Sequence, residues 1–356
     1  MKVSNRLQKL RQKLAEKEID GIFISQPENR YYLSGFDGSA GYLLITPQDT
    51  VLATDFRYTE QAKTEAPDYR IFQITSNTSD WFPRLLSELN LSRLGFEAGY
   101  ITFALYRELL EILNKAQPNL KLIATEGMVE SIRAIKEPEE IELIARAADI
   151  SDRAIDHINN MAHPGITEKE VAWEIEKFMR ENGSQTLPFE VIVASGQNSA
   201  LPHAKPSQRQ ISFGEPVVID IGARVGGYAS DLTRTICLGT PDDTFKKVYD
   251  IVLGAQLTAL AIIQEGMSGA EADSLARTVI QEAGYGEAFG HGLGHGVGLV
   301  VHEQPRLGPN STELLTSGMV FSVEPGIYLP DWGGVRIEDL VVIENSKIRL
   351  LSKAQK

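Results

Sequence analysis

The chain has 356 residues, of which 42% are hydrophobic and 23% are charged. This ordinary globular composition excludes disorder, collagen-like repeats and coiled coil for the chain as a whole, and the length predicts about two domains. The formal net charge of −13 argues against a nucleic-acid partner, because an acidic protein repels phosphate backbones.

The chain contains a single cysteine, Cys237, which cannot form an internal disulfide bond. A reducing compartment is therefore the simpler expectation. The first twenty residues are polar and lack the apolar core of a secretory signal, and no apolar run reaches the length of a membrane span. The sequence predicts a cytoplasmic protein without a membrane partner.

Residues 1–125 alternate helical and strand patterns. Leucines 7, 10 and 14 follow helical spacing, and the segments RLLSEL and ALYRELLEIL are also typical of helices. Short apolar runs bounded by turn residues predict strands, namely residues 21–25, 42–46, 50–54 and 70–74. This alternation predicts a small α/β domain over residues 1–125.

A boundary is predicted near residues 126–137, and Pro138 suits the first position of a long amphipathic helix. The second domain, residues 126–356, contains an internal repeat with an offset of 101 residues. Thr167 and Ser268 are each followed three positions later by glutamate, which predicts a capping box at the start of an amphipathic helix in each copy. Chance similarity between two amphipathic helices is the alternative explanation.

The repeat continues into strands that carry acidic residues. The segment GEPVVIDIG resembles GMVFSVEPG, which aligns Asp220 with Glu324, and a second alignment pairs Asp231 with Glu338. An acid inside an apolar strand is costly unless it is paired or bound to a metal. Four such acids in matched pairs indicate bound cations.

Three of the six histidines, His291, His295 and His302, lie in the glycine-rich segment GHGLGHGVGLVVHE. So many glycines suit a backbone that passes close to a ligand or to another strand. The four strand acids together with His295 form a set of four carboxylates and one imidazole, without a thiolate. This set favours two neighbouring divalent ions of hard character, such as manganese, cobalt or iron, over a structural zinc site.

The motifs taken together resemble the pita-bread metallopeptidases, and within them the Xaa-Pro aminopeptidases and Xaa-Pro dipeptidases (prolidases). The N-terminal part of the resemblance lies in YLSGFDGSAGYLLIT and DFRYTEQA, which are similar to the creatinase-like domain of this family. The catalytic part lies in LPH, DIGARVGGYASDLTRT, GHGLGHGVGLVVHE, VEPGIY and GGVRIED, in family order. The resemblance implies an α/β (α+β) chain, with a small creatinase-like α/β domain followed by a pseudo-twofold pita-bread catalytic domain.

The resemblance implies a role for nine residues. The implied metal ligands are Asp220, Asp231, His295, Glu324 and Glu338. The implied catalytic residues are His203, His302 and Glu324, with His203 near the scissile bond and Glu324 transferring the proton of the attacking water. The implied substrate-binding residues are His291, His302 and Arg336, and Arg336 also supports the Glu338 side of the metal cluster.

The function implied is hydrolysis of the bond between an N-terminal residue and a following proline, by a water that bridges two divalent ions. Mn²⁺ or Co²⁺ are the expected ions, with Fe²⁺ or Zn²⁺ as alternatives. Short proline-containing peptides are the expected partners, and a homodimer is the expected assembly. Two alternatives stay open: an aminopeptidase of the same fold with broader specificity, and a peptide-binding module without catalysis. The sequence also leaves open whether the substrate is limited to dipeptides.

Overall fold

The computed structural model describes residues 3–356, which form two compact units. The first unit ends at Arg133, and the second comprises Ala134–Lys356. The predicted change of domain after residue 125 stays a prediction. None of the helices in the described part of the chain combines the length and the apolar character that crossing a bilayer requires.

The first unit is a six-stranded sheet covered by helices, as the alternating pattern predicts. Its helices are α1 (Val3–Glu16), α2 (Pro27–Ser34), α3 (Thr59–Glu65), α4 (Thr78–Ser87), α5 (Phe103–Ala116) and α6 (Glu130–Arg133). Its strands are β1 (Gly21–Ile24), β2 (Tyr42–Ile45), β3 (Thr50–Thr54), β4 (Arg70–Gln73), β5 (Arg93–Glu97) and β6 (Lys121–Thr125). The strand order is β4-β3-β2-β1-β5-β6, in which β1–β2 and β2–β3 pair antiparallel and the other neighbours pair parallel.

The second unit contains two pairs of helices and two main sheets. Its helices are α7 (Pro138–Met161), α8 (Glu168–Glu181), α9 (Asp243–Ile262) and α10 (Gly269–Glu282), with 3₁₀ turns at Gly196–Ala200 and Gly286–Ala288. Its strands are β7 (Ile192–Ser195), β8 (Pro216–Ile221), β9 (Arg224–Val225), β10 (Tyr228–Ala229), β11 (Leu232–Cys237), β12 (Gly294–Gly296), β13 (Glu303–Leu307), β14 (Val320–Val323), β15 (Gly326–Leu329), β16 (Gly333–Arg336), β17 (Asp339–Glu344) and β18 (Lys347–Leu350). The sheets have the orders β11-β8-β7 and β13-β12-β14-β17-β18, and two short hairpins, β9–β10 and β15–β16, connect strands within each half.

The two halves of the second unit repeat the same arrangement. In the first half β8 pairs antiparallel with β11, and in the second half β14 pairs antiparallel with β17. Each half packs its helix pair over its own apolar core. The capping boxes at Thr167 and Ser268 are both formed, which confirms the predicted starts of α8 and α10. The repeat therefore places equivalent strand ends, and the acids on them, in equivalent positions.

Candidate metal centre

The four acids of the repeat lie at matching strand ends. Asp220 is near the end of β8, and Asp231 immediately precedes β11, whose Leu232 pairs with Ile221. Glu324 directly follows β14, and Glu338 directly precedes β17. Carboxylate oxygens of Asp220, Asp231 and Glu338 all lie within 4.8 Å of one another. The antiparallel pairing thus converts acids far apart in sequence into one cluster.

His295 joins this cluster from strand β12. Its Nε2 lies 3.2 Å from Glu324 Oε1 and 3.6 Å from Asp231 Oδ2. Its Nδ1 lies 3.2 Å from the carbonyl oxygen of Gly296, which can only accept a hydrogen bond. Nδ1 therefore donates a hydrogen bond to this oxygen, and Nε2 faces the carboxylate oxygens of Glu324 and Asp231. A ring nitrogen that faces anionic oxygens can hold a proton or, once that proton is lost, can ligate a metal ion together with those oxygens.

Glycine on both sides of His295 allows strand β12 to lie against its neighbours. A methyl group on Gly294 would overlap the carbonyl oxygen of Ser322 in β14, and one on Gly296 would overlap the carbonyl oxygen of Gln304 in β13. This close backbone approach brings His295 next to Glu324. It gives a physical reason for the glycine-rich sequence around the histidines.

The electrostatics of the cluster are those of a cation site. Burial raises the pKa of Asp231 and Glu338 well above the usual range, and the neighbouring carboxylates raise both further. Burial also raises the pKa of Asp220, although the positive charge of Arg336 opposes the shift. The oxygen Oδ1 of Asp220 is buried and has no hydrogen-bond partner among the described residues. Oxygen ligands crowded together, one of them with no donor, fit divalent metal ions.

The remaining acid of the cluster is held in its charged form. Burial alone would raise the pKa of Glu324, but the hydrogen bond and positive charge of His295 outweigh it and lower this pKa to about 2. Ser322 also donates a hydrogen bond to Glu324 Oε1 at 2.9 Å. The same interaction raises the pKa of His295 against the effect of its burial. Glu324 is therefore a charged carboxylate paired with His295.

Arg336 connects the acids of the two halves. Its Nη2 donates to Asp220 Oδ2 at 2.6 Å, and its Nε donates to Thr233 Oγ1 at 3.1 Å. Thr233 in turn donates to Glu338 Oε2 at 2.7 Å. Arg336 thus reaches the Glu338 side through Thr233, and it also contacts Asp220 directly, which the sequence analysis did not include.

Tyr328 extends this network and was not identified from sequence, although it ends the motif VEPGIY. Arg336 Nη1 donates to the Tyr328 hydroxyl at 2.9 Å, and that hydroxyl lies 2.9 Å from His291 Nε2. His291 Nδ1 lies 2.8 Å from the Gly292 carbonyl oxygen, so Nδ1 carries the proton and Nε2 accepts from Tyr328. Burial lowers the pKa of His291, which favours this neutral form.

All nine predicted site residues line one cavity of about 600 Å³. Its lining includes His203, Asp220, Asp231, His291, His295, His302, Glu324, Arg336 and Glu338. The ring of His302 lies 4.1 Å from that of His295 between centroids, and burial with the nearby charge of His295 lowers the pKa of His302. A volume of this size is typical of a small-molecule or peptide site.

Glu168 holds the segment that carries His203, and it too was not identified from sequence. It is the first residue of α8 and is fully buried. Its carboxylate accepts hydrogen bonds from the backbone and hydroxyl groups of Ser195 and Ser207 and from the Asn198 amide, at 2.6–3.2 Å. Because the acceptor is a carboxylate, these hydrogen bonds are stronger than those between neutral groups. They fix both ends of the segment between the 3₁₀ turn and residue 207.

Comparison with known proteins assigns both parts of the chain to described families. The model for metallopeptidase family M24 matches residues 142–345, and the model for the creatinase/prolidase N-terminal domain matches residues 6–135. A relative described as Xaa-Pro dipeptidase of Pyrococcus furiosus is 38% identical over 355 residues, which is 99% of each chain.

Solved structures agree with this relationship. The Xaa-Pro dipeptidase from Bacillus anthracis superposes with a TM-score of 0.95 at 42% identity, covering 99% of this chain and 98% of that one. The X-Pro aminopeptidase from Thermotoga maritima superposes with a TM-score of 0.87 at 38% identity, covering 95% and 96%. The fold is therefore shared over nearly the whole chain.

Proposed function

The chain belongs to metallopeptidase family M24, and on that premise we propose that it hydrolyses the bond between an N-terminal residue and a following proline. The observation that carries this proposal is the convergence of four carboxylates, two of them buried, and Nε2 of His295 on one cavity. Relatives that share nearly the whole chain are named for action on Xaa-Pro substrates.

The metal ligands in this proposal are Asp220, Asp231, His295, Glu324 and Glu338. The buried oxygen of Asp220 that lacks a donor and the raised pKa of its neighbours support this set. Two divalent ions held there would lower the pKa of a shared water and polarise the scissile carbonyl group. The four carboxylate ligands favour Mn²⁺ or Co²⁺ among the possible ions, with Fe²⁺ or Zn²⁺ as alternatives.

The protein's own groups supply the proton transfer and the orientation. Glu324, which is ionised, takes the proton of the attacking water and returns it to the leaving proline nitrogen. His302 donates a hydrogen bond to the oxygen of the tetrahedral intermediate, and His203 orients the scissile bond. Arg336 keeps Asp220 and Glu338 in position through its two N–H contacts.

Apolar side chains in the cavity lining support the preference for proline. They include Phe189, Val191, Pro202, Pro206 and Val301. The proline nitrogen of an Xaa-Pro bond carries no hydrogen, so an apolar surface can enclose it without leaving an unpaired donor. An alanine at the same position brings an N–H that this surface does not satisfy.

The test is hydrolysis of matched Xaa-Pro and Xaa-Ala peptides with added Mn²⁺ or Co²⁺. We expect a much higher kcat/KM for the proline peptide, and no activity after chelation. His203→Ala and His302→Ala should retain two metal ions per chain and lose about 10²–10³-fold in turnover.

Other outcomes would select the alternatives. Equal rates on both peptides would indicate an aminopeptidase of broader specificity. Peptide binding without cleavage in the metal-loaded protein would indicate a binding module. Loss of a metal ion from His203→Ala would make that histidine a ligand. A series of Xaa-Pro, Xaa-Pro-Yaa and longer peptides separates a dipeptidase from an aminopeptidase.

We further propose that the protein acts in the cytoplasm as a homodimer. The single cysteine supports a reducing compartment, and the dimer is proposed from the family resemblance. Light scattering in solution tests the assembly, and fractionation of the source cells tests the compartment.

A further inference from the structure

A buried ion pair lies next to the Glu338 side of the candidate metal centre. Arg234 in β11 donates from Nη2 to Oδ1 of Asp339 at 2.7 Å, and the two side chains are 2% and 1% exposed. Arg234 directly follows Thr233 in the chain, and Asp339 directly follows Glu338. The pair therefore joins the two segments between which Thr233 donates its hydrogen bond to the Glu338 carboxylate.

The same guanidinium group also holds the backbone of both segments. Its Nη1 donates to the carbonyl oxygen of Thr233 at 2.9 Å and to the carbonyl oxygen of Glu338. The carbonyl oxygen of Thr233 in turn accepts from the backbone N–H of Glu338 at 3.1 Å. Arg234 thus contacts the main chain of both residues that form the hydrogen bond to the Glu338 carboxylate.

A third segment, residues 351–356, is held by Arg234 as well. Nη2 of Arg234 donates to the carbonyl oxygen of Ala354 at 2.7 Å. Asp152 in α7 is buried and accepts from the backbone N–H groups of Lys353 and Ala354, both at 2.8 Å. The segment follows β18 of the second half, and Ala354 packs in the apolar core of the first half. It therefore crosses between the halves at the place where Arg234 joins them.

Charge balance alone does not explain the position of Arg234. Oδ2 of Asp339 lies 2.6 Å from Nζ of Lys356 and accepts from Nε2 of Gln256 at 3.1 Å. Asp339 therefore has a second cation beside it. Arg234 adds the contacts to carbonyl groups, and a lysine in its place would keep the charge but lose most of those contacts.

We propose that Arg234 is a positioning residue for the metal centre, which fixes Glu338 by tying β11, the start of β17 and residues 351–356 together. This inference rests on the proposed function, which makes Glu338 a metal ligand. Groups that hold a ligand from behind set its orientation and thereby the affinity for the metal ion. Arginine suits this role because its planar group of five N–H donors can bond a carboxylate and several carbonyl oxygens at once.

The experiment is calorimetric titration of the metal-free protein with Mn²⁺. Arg234→Lys should bind Mn²⁺ about 10–100-fold more weakly, the usual effect of losing contacts behind a metal ligand. Asp152→Asn should weaken binding by less, because it loosens residues 351–356 without removing Arg234. Lys356→Met removes one positive charge near Asp339 and should leave the Mn²⁺ affinity unchanged.

Arg30→Lys is the matched control. Arg30 is buried in the first unit, and its guanidinium group donates to the backbone carbonyl oxygens of Gly38 and Gly41. This variant loses the same kind of contact, so it should lower the melting temperature without changing the Mn²⁺ affinity. The control separates a loss of stability from a loss of positioning.

A second measurement follows Xaa-Pro hydrolysis as the Mn²⁺ concentration is raised. In Arg234→Lys the concentration that gives the half-maximal rate should rise by the same factor as in calorimetry, while the rate at saturation should approach that of the unaltered protein. If Arg234 only supported the fold, the maximal rate would fall and the half-maximal concentration would stay the same.

Failure of the inference is distinguishable from failure of the proposed function. If the unaltered protein binds neither Mn²⁺ nor Co²⁺, the proposed metal centre is wrong and the inference falls with it. If it binds Mn²⁺ but cleaves no Xaa-Pro peptide, the proposed activity is wrong, and the calorimetric comparison still decides the role of Arg234.

Three results would overturn the inference itself. The first is equal Mn²⁺ affinity in folded Arg234→Lys and the unaltered protein. The second is a loss of affinity in Arg30→Lys or Lys356→Met as large as that in Arg234→Lys. The third applies if Arg234→Lys does not fold, and is an unchanged Mn²⁺ affinity in Asp152→Asn.

Discussion

At the scale of single residues, Arg336 has the most demanding position in the candidate site. Its guanidinium group is buried and donates to three side-chain oxygens, on Asp220, Thr233 and Tyr328. Only a planar fork of several N–H groups can make these contacts together. Arg336 thereby holds one acid of each half of the repeat, Asp220 directly and Glu338 through Thr233.

We predict that Arg336→Lys weakens metal binding although it keeps the positive charge. A single ammonium group cannot reach all three side-chain oxygens, and loss of such supporting contacts usually costs about 10–100-fold in metal affinity. Calorimetric titration of the metal-free protein with Mn²⁺ measures this directly. The matched control is Arg349→Lys. Arg349 likewise donates more than one N–H, in its case two to the carboxylate of Glu344, but its side chain is exposed. Equal affinity in Arg336→Lys and the unaltered protein would show that charge alone is sufficient.

At the scale of elements, the two capping boxes set the starts of α8 and α10. In each, a hydroxyl group accepts from the backbone of the glutamate three residues later, at 3.2 Å for both Thr167 and Ser268. In return, the carboxylate of each glutamate accepts a hydrogen bond from the backbone N–H of the cap residue, at 2.8 Å in α8 and 2.7 Å in α10. The cap of α8 has an added consequence, because the next residue, Glu168, holds the segment that carries His203.

We predict that Thr167→Ala and Ser268→Ala each lower the free energy of unfolding by about 1 kcal/mol at pH 7. Hydrogen bonds from Thr167 lower the pKa of Glu170, so the stability that this glutamate contributes is present above its unfolded pKa. That contribution is lost as the pH falls through the lowered folded value, so the difference between Thr167→Ala and the unaltered protein should narrow in acid. Urea unfolding at several pH values measures both effects.

Thr258→Ala serves as the control for these caps. Thr258 lies inside α9, where its hydroxyl donates to the Gly254 carbonyl oxygen at 2.8 Å, and alanine is at least as good a helix former there. The free energy of unfolding of Thr258→Ala should be equal to that of the unaltered protein or slightly higher. A loss as large as that of the cap variants would mean that any lost hydroxyl, rather than the cap, lowers stability.

Sequence patterns predicted the elements well because their causes are local. Apolar spacing, turn residues and capping pairs act within one element, and the four matched acids could be recognised from the repeat alone. The contacts of Thr233 with Glu338 and of Arg336 with Asp220 join residues more than 100 positions apart. Tyr328 and Glu168 were missed for the same reason, since their roles depend on which distant residues the fold brings next to them.

At the scale of the whole molecule, the acid cluster makes the second unit depend on both of its halves. Asp220 and Asp231 come from the first half, and Glu324 and Glu338 come from the second. Each half has its own apolar core, so the cluster forms only when both are folded and paired. Metal binding is therefore coupled to the folding of Ala134–Lys356, and its free energy adds to that of folding.

The last prediction concerns the sign of this coupling, tested with Asp231→Asn. In the metal-free protein Asp231 must lose its charge or keep it buried beside Glu338 and Asp220, and both options cost free energy relative to the unfolded chain. Asparagine keeps the shape without that cost. In excess chelator the variant should therefore be more stable than the unaltered protein, by about 1 kcal/mol, which is roughly 2–4 °C in melting temperature for a unit of this size.

With saturating Mn²⁺ the order should reverse, because the unaltered protein gains the free energy of binding and the variant has lost a charged ligand. Scanning calorimetry with and without chelator gives all four melting temperatures. Asp273→Asn is the contrasting control, since Asp273 is a buried acid paired with Arg277 at 2.7 Å outside the cluster. It should be destabilising in both conditions. A loss of stability for Asp231→Asn in chelator, equal to that in Mn²⁺, would mean that the acid supports the fold itself rather than a bound cation.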